Sequence, residues 1–243
     1  MRQRRRMRIP AGFAVGFLAS LLVIAPPYGG PNTACADDAM DAQSLVDQAL
    51  MTFETFNGDS DMGPSMRAIV RRARAVLIYP QVLRLAFIFG ASGGSGVLLA
   101  HDENANVWTG PAFYTIGQVS FGIQAGGEAT EVVLVALTDR GLSALLSTSA
   151  KLGADVGVAL GPIGVGAEAA TANLSADIVS YSRAKGLYAG VSVNGAVVAT
   201  RGALNQAYYG KEVTPTAILI EREVTNPQAA PLIEAVAKVA SGK

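Results

Sequence analysis

The chain has 243 residues, half of them apolar and only 16% charged, with 27 Gly, 11 Pro and a single Cys. That composition excludes a disordered or fibrous protein and can bury a sizeable core in one domain, or at most two small ones. The formal net charge of zero averages two unlike parts: residues 1–36 hold five Arg and no acid, leaving 14 basic against 19 acidic side chains, a net of −5, in the rest. A body of that balance is a poor nucleic-acid binder, so any anionic partner has to be met by a local patch.

In chain order, Arg2, Arg4, Arg5, Arg6 and Arg8 form a positive start, Ala11 to Ala25 a run of small and apolar residues, and Pro26-Pro27 a stop. The pattern predicts a secretory signal peptide over residues 1–36, and its apolar run is shorter than the roughly 20 residues of a usual membrane span. Ala34-Cys35-Ala36 fits cleavage before Asp37, which would remove the only cysteine; the alternative is lipoprotein processing, with Cys35 acylated. Either way no disulfide framework is expected. The expected location is the periplasm or cell envelope, with peripheral or lipid-anchored membrane association.

Residues 37–58 predict an amphipathic helix: Ala42, Leu45, Val46, Ala49, Leu50, Phe53 and Phe56 recur at helical spacing, Asp37, Asp38 and Asp41 suit the positive end of the dipole, and Gly58 supplies a stop. Residues 59–243 then form the main domain. Its first helix is expected over Pro64 to Leu77, with Met66, Ile69, Val70, Ala73 and Leu77 as the apolar stripe and Arg67, Arg71 and Arg74 on another face, Arg72 beside them. Short β-rich runs follow at 76–79, 87–89, 96–100, 107–109, 121–125 and 132–137, with a hairpin across the polar stretch Asp102 to Asn106. Thr138 or Asp139 should cap a helix reaching towards Gly153. Strands are expected at 155–160, 177–182, 188–193, 196–200 and 217–220, a short helix ending at Gly210, and a last helix opened by Asn226-Pro227. The fold class is therefore α+β: a Gly-rich, mainly antiparallel β core flanked by N- and C-terminal helices.

Catalytic chemistry finds no support. Gly90-Ala91-Ser92-Gly93-Gly94 matches a nucleophile-elbow string, but the sole histidine, His101, follows Ser92 by nine residues with no acid between, whereas that fold needs Ser, then an acid, then a distant His. A glycine turn between strands is the preferred reading there, and His101 reads as the start of a polar turn. One His and one Cys cannot supply a zinc site. Asp102-Glu103 reads as a solvated turn, and Gly161-Pro162-Ile163-Gly164 is neither a dinucleotide fingerprint nor a P-loop. No cofactor and no metal are expected.

The positive signal is the basic ridge Arg67, Arg71, Arg72 and Arg74. It fits either a helix docked on the sheet with a solvated basic face, or a helix lying at a membrane surface, apolar side inward. Gly94-Ser95-Gly96-Val97-Leu98, Trp108-Thr109-Gly110-Pro111, Gly122 to Glu128, Gly161-Pro162-Ile163-Gly164, the block Tyr181 to Gly190 and Tyr209-Gly210 together resemble the SYLF domain family, over about residues 60–222. The resemblance implies a lipid-binding module. In that family membrane contact is attributed to a basic amphipathic segment corresponding here to Pro64–Leu77, and yeast members also bind actin. It implies anionic phospholipid as partner and Arg67, Arg71, Arg72 and Arg74 as contacts; an envelope scaffold or protein-interaction module is the alternative. Val165 stands where eukaryotic members usually carry Arg, so one possible headgroup contact is absent. Arg183 and Lys185, two apart, could form a phosphate-binding strand edge with Tyr181 aligned on it, or belong to a turn at Lys185-Gly186. Trp108 and Pro111 read as hairpin packing.

Overall fold

The computed structural model describes residues 31–86, 89–121, 126–162, 175–184 and 193–242. The expected signal segment up to residue 30, Lys185 and most of the 188–193 strand lie outside the described residues.

Helix α1 (Pro31–Gly58) buries Ala42, Val46, Ala49, Phe53 and Phe56, the stripe its spacing predicts. It begins six residues before Asp37, so Asp37, Asp38 and Asp41 are not in its first turn, and the expected cleavage point falls within it. Asp59 then accepts the backbone N–H of Asp61 and of Met62, each at 2.9 Å, and Pro64 opens α2 (Gly63–Val70). Here the expectation of a helix reaching Leu77 is corrected. Arg71 is the C-cap, and the chain turns through residues 72–74 into β1 (Ala75–Ala86), in which Leu77 lies. Ala73 and Leu77 fit the helical period, yet Leu77 is buried on the side of the sheet away from α2.

The glycine-punctuated runs fuse into long strands: β2 (Phe89–Asp102), β3 (Val107–Phe121) and β4 (Gly126–Ala136). In β1 the register shifts on both sides of Pro80, a bulge at the one place where a ladder N–H is missing. The 102–106 hairpin forms as expected, with His101 opposite Trp108 and Asp102 opposite Val107. Thr138 caps α3 (Asp139–Leu146), accepting the Gly141 N–H at 3.0 Å, but this helix stops before Ser147, well short of Gly153. β5 (Ser149–Lys151), β6 (Val158–Leu160), β7 (Ile178–Ala184) and β8 (Val197–Thr200) complete one eight-stranded sheet in the order β5-β8-β3-β2-β1-β4-β7-β6, antiparallel except for β6 with β7. The Thr138 hydroxyl donates to Asp177 at 2.8 Å, and with the Gly157 N–H and Arg140 it holds the Asp177 carboxyl below its ordinary value.

Helix α4 (Gly202–Tyr209) ends at Gly210 in the left-handed conformation, as expected. The expected strand at 217–220 is instead helix α5 (Pro215–Leu219): Thr214 accepts the Ala217 N–H and Pro215 occupies the first turn, a start signal that outweighs the β-branched content. Asn226 caps a 3-10 turn (Pro227–Ala229) that leads into α6 (Ala230–Ser241).

Around its middle the sheet is covered on both faces. On one, α1, α2, α4 and α6 pack on Val76, Ile78, Val97, Leu99, Phe113, Val133 and Val135. On the other, Leu77, Tyr79, Leu98, Tyr114 and Leu134 pack with Leu145, Ile218 and Leu219. The architecture is α+β, with a mostly antiparallel sheet between terminal helices.

Candidate anion-binding surface

Helix α2 lies inward by its apolar face: Met66, Ile69 and Val70 are at most 1% exposed and belong to the core shared with α1 and α6. The apolar side of this helix is therefore spent on the fold, and of the two readings of the ridge the docked helix is the one the structure has. The cations divide. The Arg67 guanidinium donates to the carbonyl of Asn57, closing the end of α1. Arg71 and Arg72 are exposed, whereas Arg74 is tied to Glu103 and, at 3.4 Å, to Asp139. Asp102 accepts the N–H groups of Asn104 and Ala105 and pairs with Arg222, so Asp102-Glu103 is a charged junction rather than a merely solvated turn.

Lys238, on the last turn of α6, reaches the same place as Arg67 and Arg71. With Asn57, Glu54 and Gly242 they line a cavity of about 370 Å³ between α1, α2 and α6. Nothing local in the sequence signalled Lys238; it joins the ridge only because α6 packs on α1 and α2. Arg67, Arg71, Arg72 and Lys238 form no ion pair among the described residues, while Arg74, Arg140, Arg183, Lys211 and Arg222 each do. A larger cavity, about 970 Å³ beside α4 and α5, has Glu212, Glu221 and Glu223 in its lining, the wrong sign for an anion.

The phosphate-edge reading of Arg183 is corrected. Strand β7 lies between β4 and β6, and Arg183 donates to Glu131 through Nε at 3.0 Å and Nη2 at 2.8 Å, with its guanidinium 5.9 Å from the Phe56 ring centroid. Tyr181 does align with it, but on the face turned into the core, where burial pushes its hydroxyl up to about 12. A side chain at Gly161 would place its Cβ 2.3 Å from the Tyr181 ring, so the Gly-Pro and Tyr-Ser-Arg motifs meet as packing partners. Lys185 and the side chain of Cys35 lie outside the described residues.

Ser92 is not on a turn. It sits inside β2, opposite Arg84 and Gln118, nine residues along the same strand from His101, on the order of 30 Å away. The reading of a glycine turn there gives way to a glycine-rich strand. His101 stacks on Trp108 with ring centroids 5.0 Å apart, and Trp108 is 7% exposed, which is the hairpin packing expected of it. Among the described residues no group of three metal-ligating side chains converges, and no helix is long and apolar enough to cross a membrane.

Residues 117–239 match the family model described as "Ysc84: Las17-binding protein actin regulator", and the chain belongs to this family, the one its SYLF motifs resemble. It is 32% identical over 185 residues to Protein YSC84 of Saccharomyces cerevisiae, covering 74% of this chain and 38% of that protein. It is 31% identical over 183 residues to LAS seventeen-binding protein 3 of the same yeast, covering 74% and 39%. To human SH3 domain-containing YSC84-like protein 1 it is 29% identical over 168 residues, 68% of this chain and 48% of that one. The chain thus spans between about two fifths and half the length of these relatives; one of them is named for binding, and the family model for binding and actin regulation.

Proposed function

We propose that this is an exported, non-catalytic binding domain that associates with anionic phospholipid at a membrane surface. The observation that carries this reading is the set Arg67, Arg71 and Lys238 around one cavity, with exposed Arg72 next to Arg71 in the chain, none of them in an ion pair among the described residues. Each cation near an anionic bilayer contributes about 1 kcal/mol, so the four supply up to roughly 4 kcal/mol before losses. Because exposed charge is screened over about 8–10 Å near physiological ionic strength, binding should fall with salt. Replacing all four by Gln is expected to weaken binding to phosphatidylglycerol-containing vesicles by about tenfold or more, the equivalent of at least 1.4 kcal/mol, with the fold retained and stability lowered only by the lost Arg67 contact to the Asn57 carbonyl, about 1–3 kcal/mol. Vesicle co-sedimentation over a salt series measures it. If wild type shows no preference for anionic over neutral vesicles at low salt, the lipid reading fails. A protein-interaction module with an acidic partner then takes its place, a reading supported by the Las17-binding names of the relatives.

The export part of the reading is supported by the Arg2–Arg8 start and the Ala11–Ala25 run. Intact mass of the protein recovered from its native host should show loss of residues 1–36 or an acyl group on Cys35. A soluble cytoplasmic species with residues 1–36 intact would remove it.

A further inference from the structure

The helix layer stops short of the sheet. Beyond it, the helix-side rows of the four central strands pass first through a polar line, Gln81, Ser95, Thr115 and Glu131, and then become apolar without exception. The cross-strand rows are Leu83 with Gly93, Gly117 and Ala129, then Ala91, Val119 and Gly127. This face is open: Leu83 is 51% and Val119 71% exposed, and Ala91, Gly93 and Gly127 are exposed as well. The reverse side of the same strands holds Arg84, Ser92, Gln118 and Glu128, and none of these is fully exposed. A two-sided sheet usually turns its polar side to water, and here the polarity is inverted.

We propose that this apolar end of the sheet docks into the acyl-chain boundary of a phospholipid bilayer. Charge at its border selects that occupant. Arg201, exposed, donates to Ser95 Oγ at 2.6 Å in the polar line, and Arg84 lies between Leu83 and Leu85 on the reverse side. Neither forms an ion pair among the described residues. Glu131, the acid in that line, is neutralised by Arg183. Exposed apolar surface bordered by a long cation, here Arg201, is the order an interfacial element presents to lipid, stem towards the chains and head towards phosphate. A shallow cavity of about 250 Å³ lies at the border of this face, where Gln48 of α1 meets Gln81, Ala129 and Glu131. The surface goes beyond the basic cluster of the preceding reading: α2 leads into the start of β1 at Ala75, and the patch begins at Leu83, 8 residues on, roughly 26 Å along the strand.

The test uses neutral phosphatidylcholine vesicles in high salt, where the basic cluster contributes little. Wild type should bind, and Leu83→Gln/Val119→Gln should bind about tenfold more weakly, a change that removing two half-exposed apolar side chains can produce. The four-fold Gln variant of the basic cluster should keep this binding, so the two readings fail separately. In Val119→Trp the new indole should be quenched by brominated lipid, with buried Trp108 as an unquenched background. Equal binding by wild type and the double Gln variant, an unquenched Trp at 119, or a wild-type dimer that the double variant makes monomeric would each overturn the proposal, the last by showing that a second copy covers the patch.

Discussion

Substituting Ile69 and Val70 together with Ser should unfold the protein or leave it barely stable, with vesicle binding lost only as a consequence. Ile69 is 1% and Val70 0% exposed, and both touch the cluster that joins α1 and α6 to the sheet. Truncating a buried Ile or Val costs about 1–4 kcal/mol, and each new hydroxyl buried without a partner adds about 1–3 kcal/mol. The sum, on the order of 4–14 kcal/mol, rivals the typical stability of about 5–15 kcal/mol for a whole domain. Urea unfolding followed by circular dichroism measures it. A double variant with the wild-type midpoint and abolished lipid binding would mean that this helix detaches from the core and inserts, against the packing described above. The four-fold Gln variant is the counterpart at the surface, with Arg67 on α2, Arg71 and Arg72 just past its end and Lys238 on α6, and the two should differ: the core pair mainly in stability, the surface set mainly in binding.

The elements that could be read from the sequence are those with a local cause. The α1 stripe, the hairpin at 102–106, the Thr138 cap and the Gly210 stop each depend on residues within a turn or two of one another, and each formed. Elsewhere tertiary context decided. Ala73 and Leu77 sit at helical spacing from Val70, so periodicity carried α2 too far, although pairing with β2 and β4 claims Leu77 for the sheet. The glycines from 90 to 96 look like turns one at a time but are strand residues because neighbours on both sides supply hydrogen bonds. At 217–220 the residues favour a strand, and the Thr214-Pro215 start signal settles a helix. The site divides in the same way. A run of arginines is visible in any window, but Glu103, which withdraws Arg74, and Lys238, which adds a charge, come from distant segments.

Gly94→Ala should be the most damaging single methyl group added to the sheet. A Cβ there would lie 2.3 Å from the carbonyl oxygen of Gln81 and 3.0 Å from Val82 Cα, both backbone atoms of β1 just past the Pro80 bulge. No rotamer change relieves such a contact, because β1 is held between β2 and β4. Overpacking costs about 1–3 kcal/mol where side chains can adjust, so a fixed backbone should place this variant at about 3 kcal/mol or above. At roughly 2–4 °C per kcal/mol for a protein of this size, the thermal midpoint should drop by about 6–12 °C. Two residues away on the same strand, Ser92→Ala is the control: a small change at a half-exposed position should stay within about 0.5 kcal/mol and leave any measured activity unaltered. Loss of an esterase activity in Ser92→Ala with the fold intact would overturn the non-catalytic reading. A Gly94→Ala midpoint equal to wild type would show that β1 shifts freely at its bulge. In that case the apolar end beyond Leu83 would not be held as one face, and its docking would have to follow binding rather than precede it.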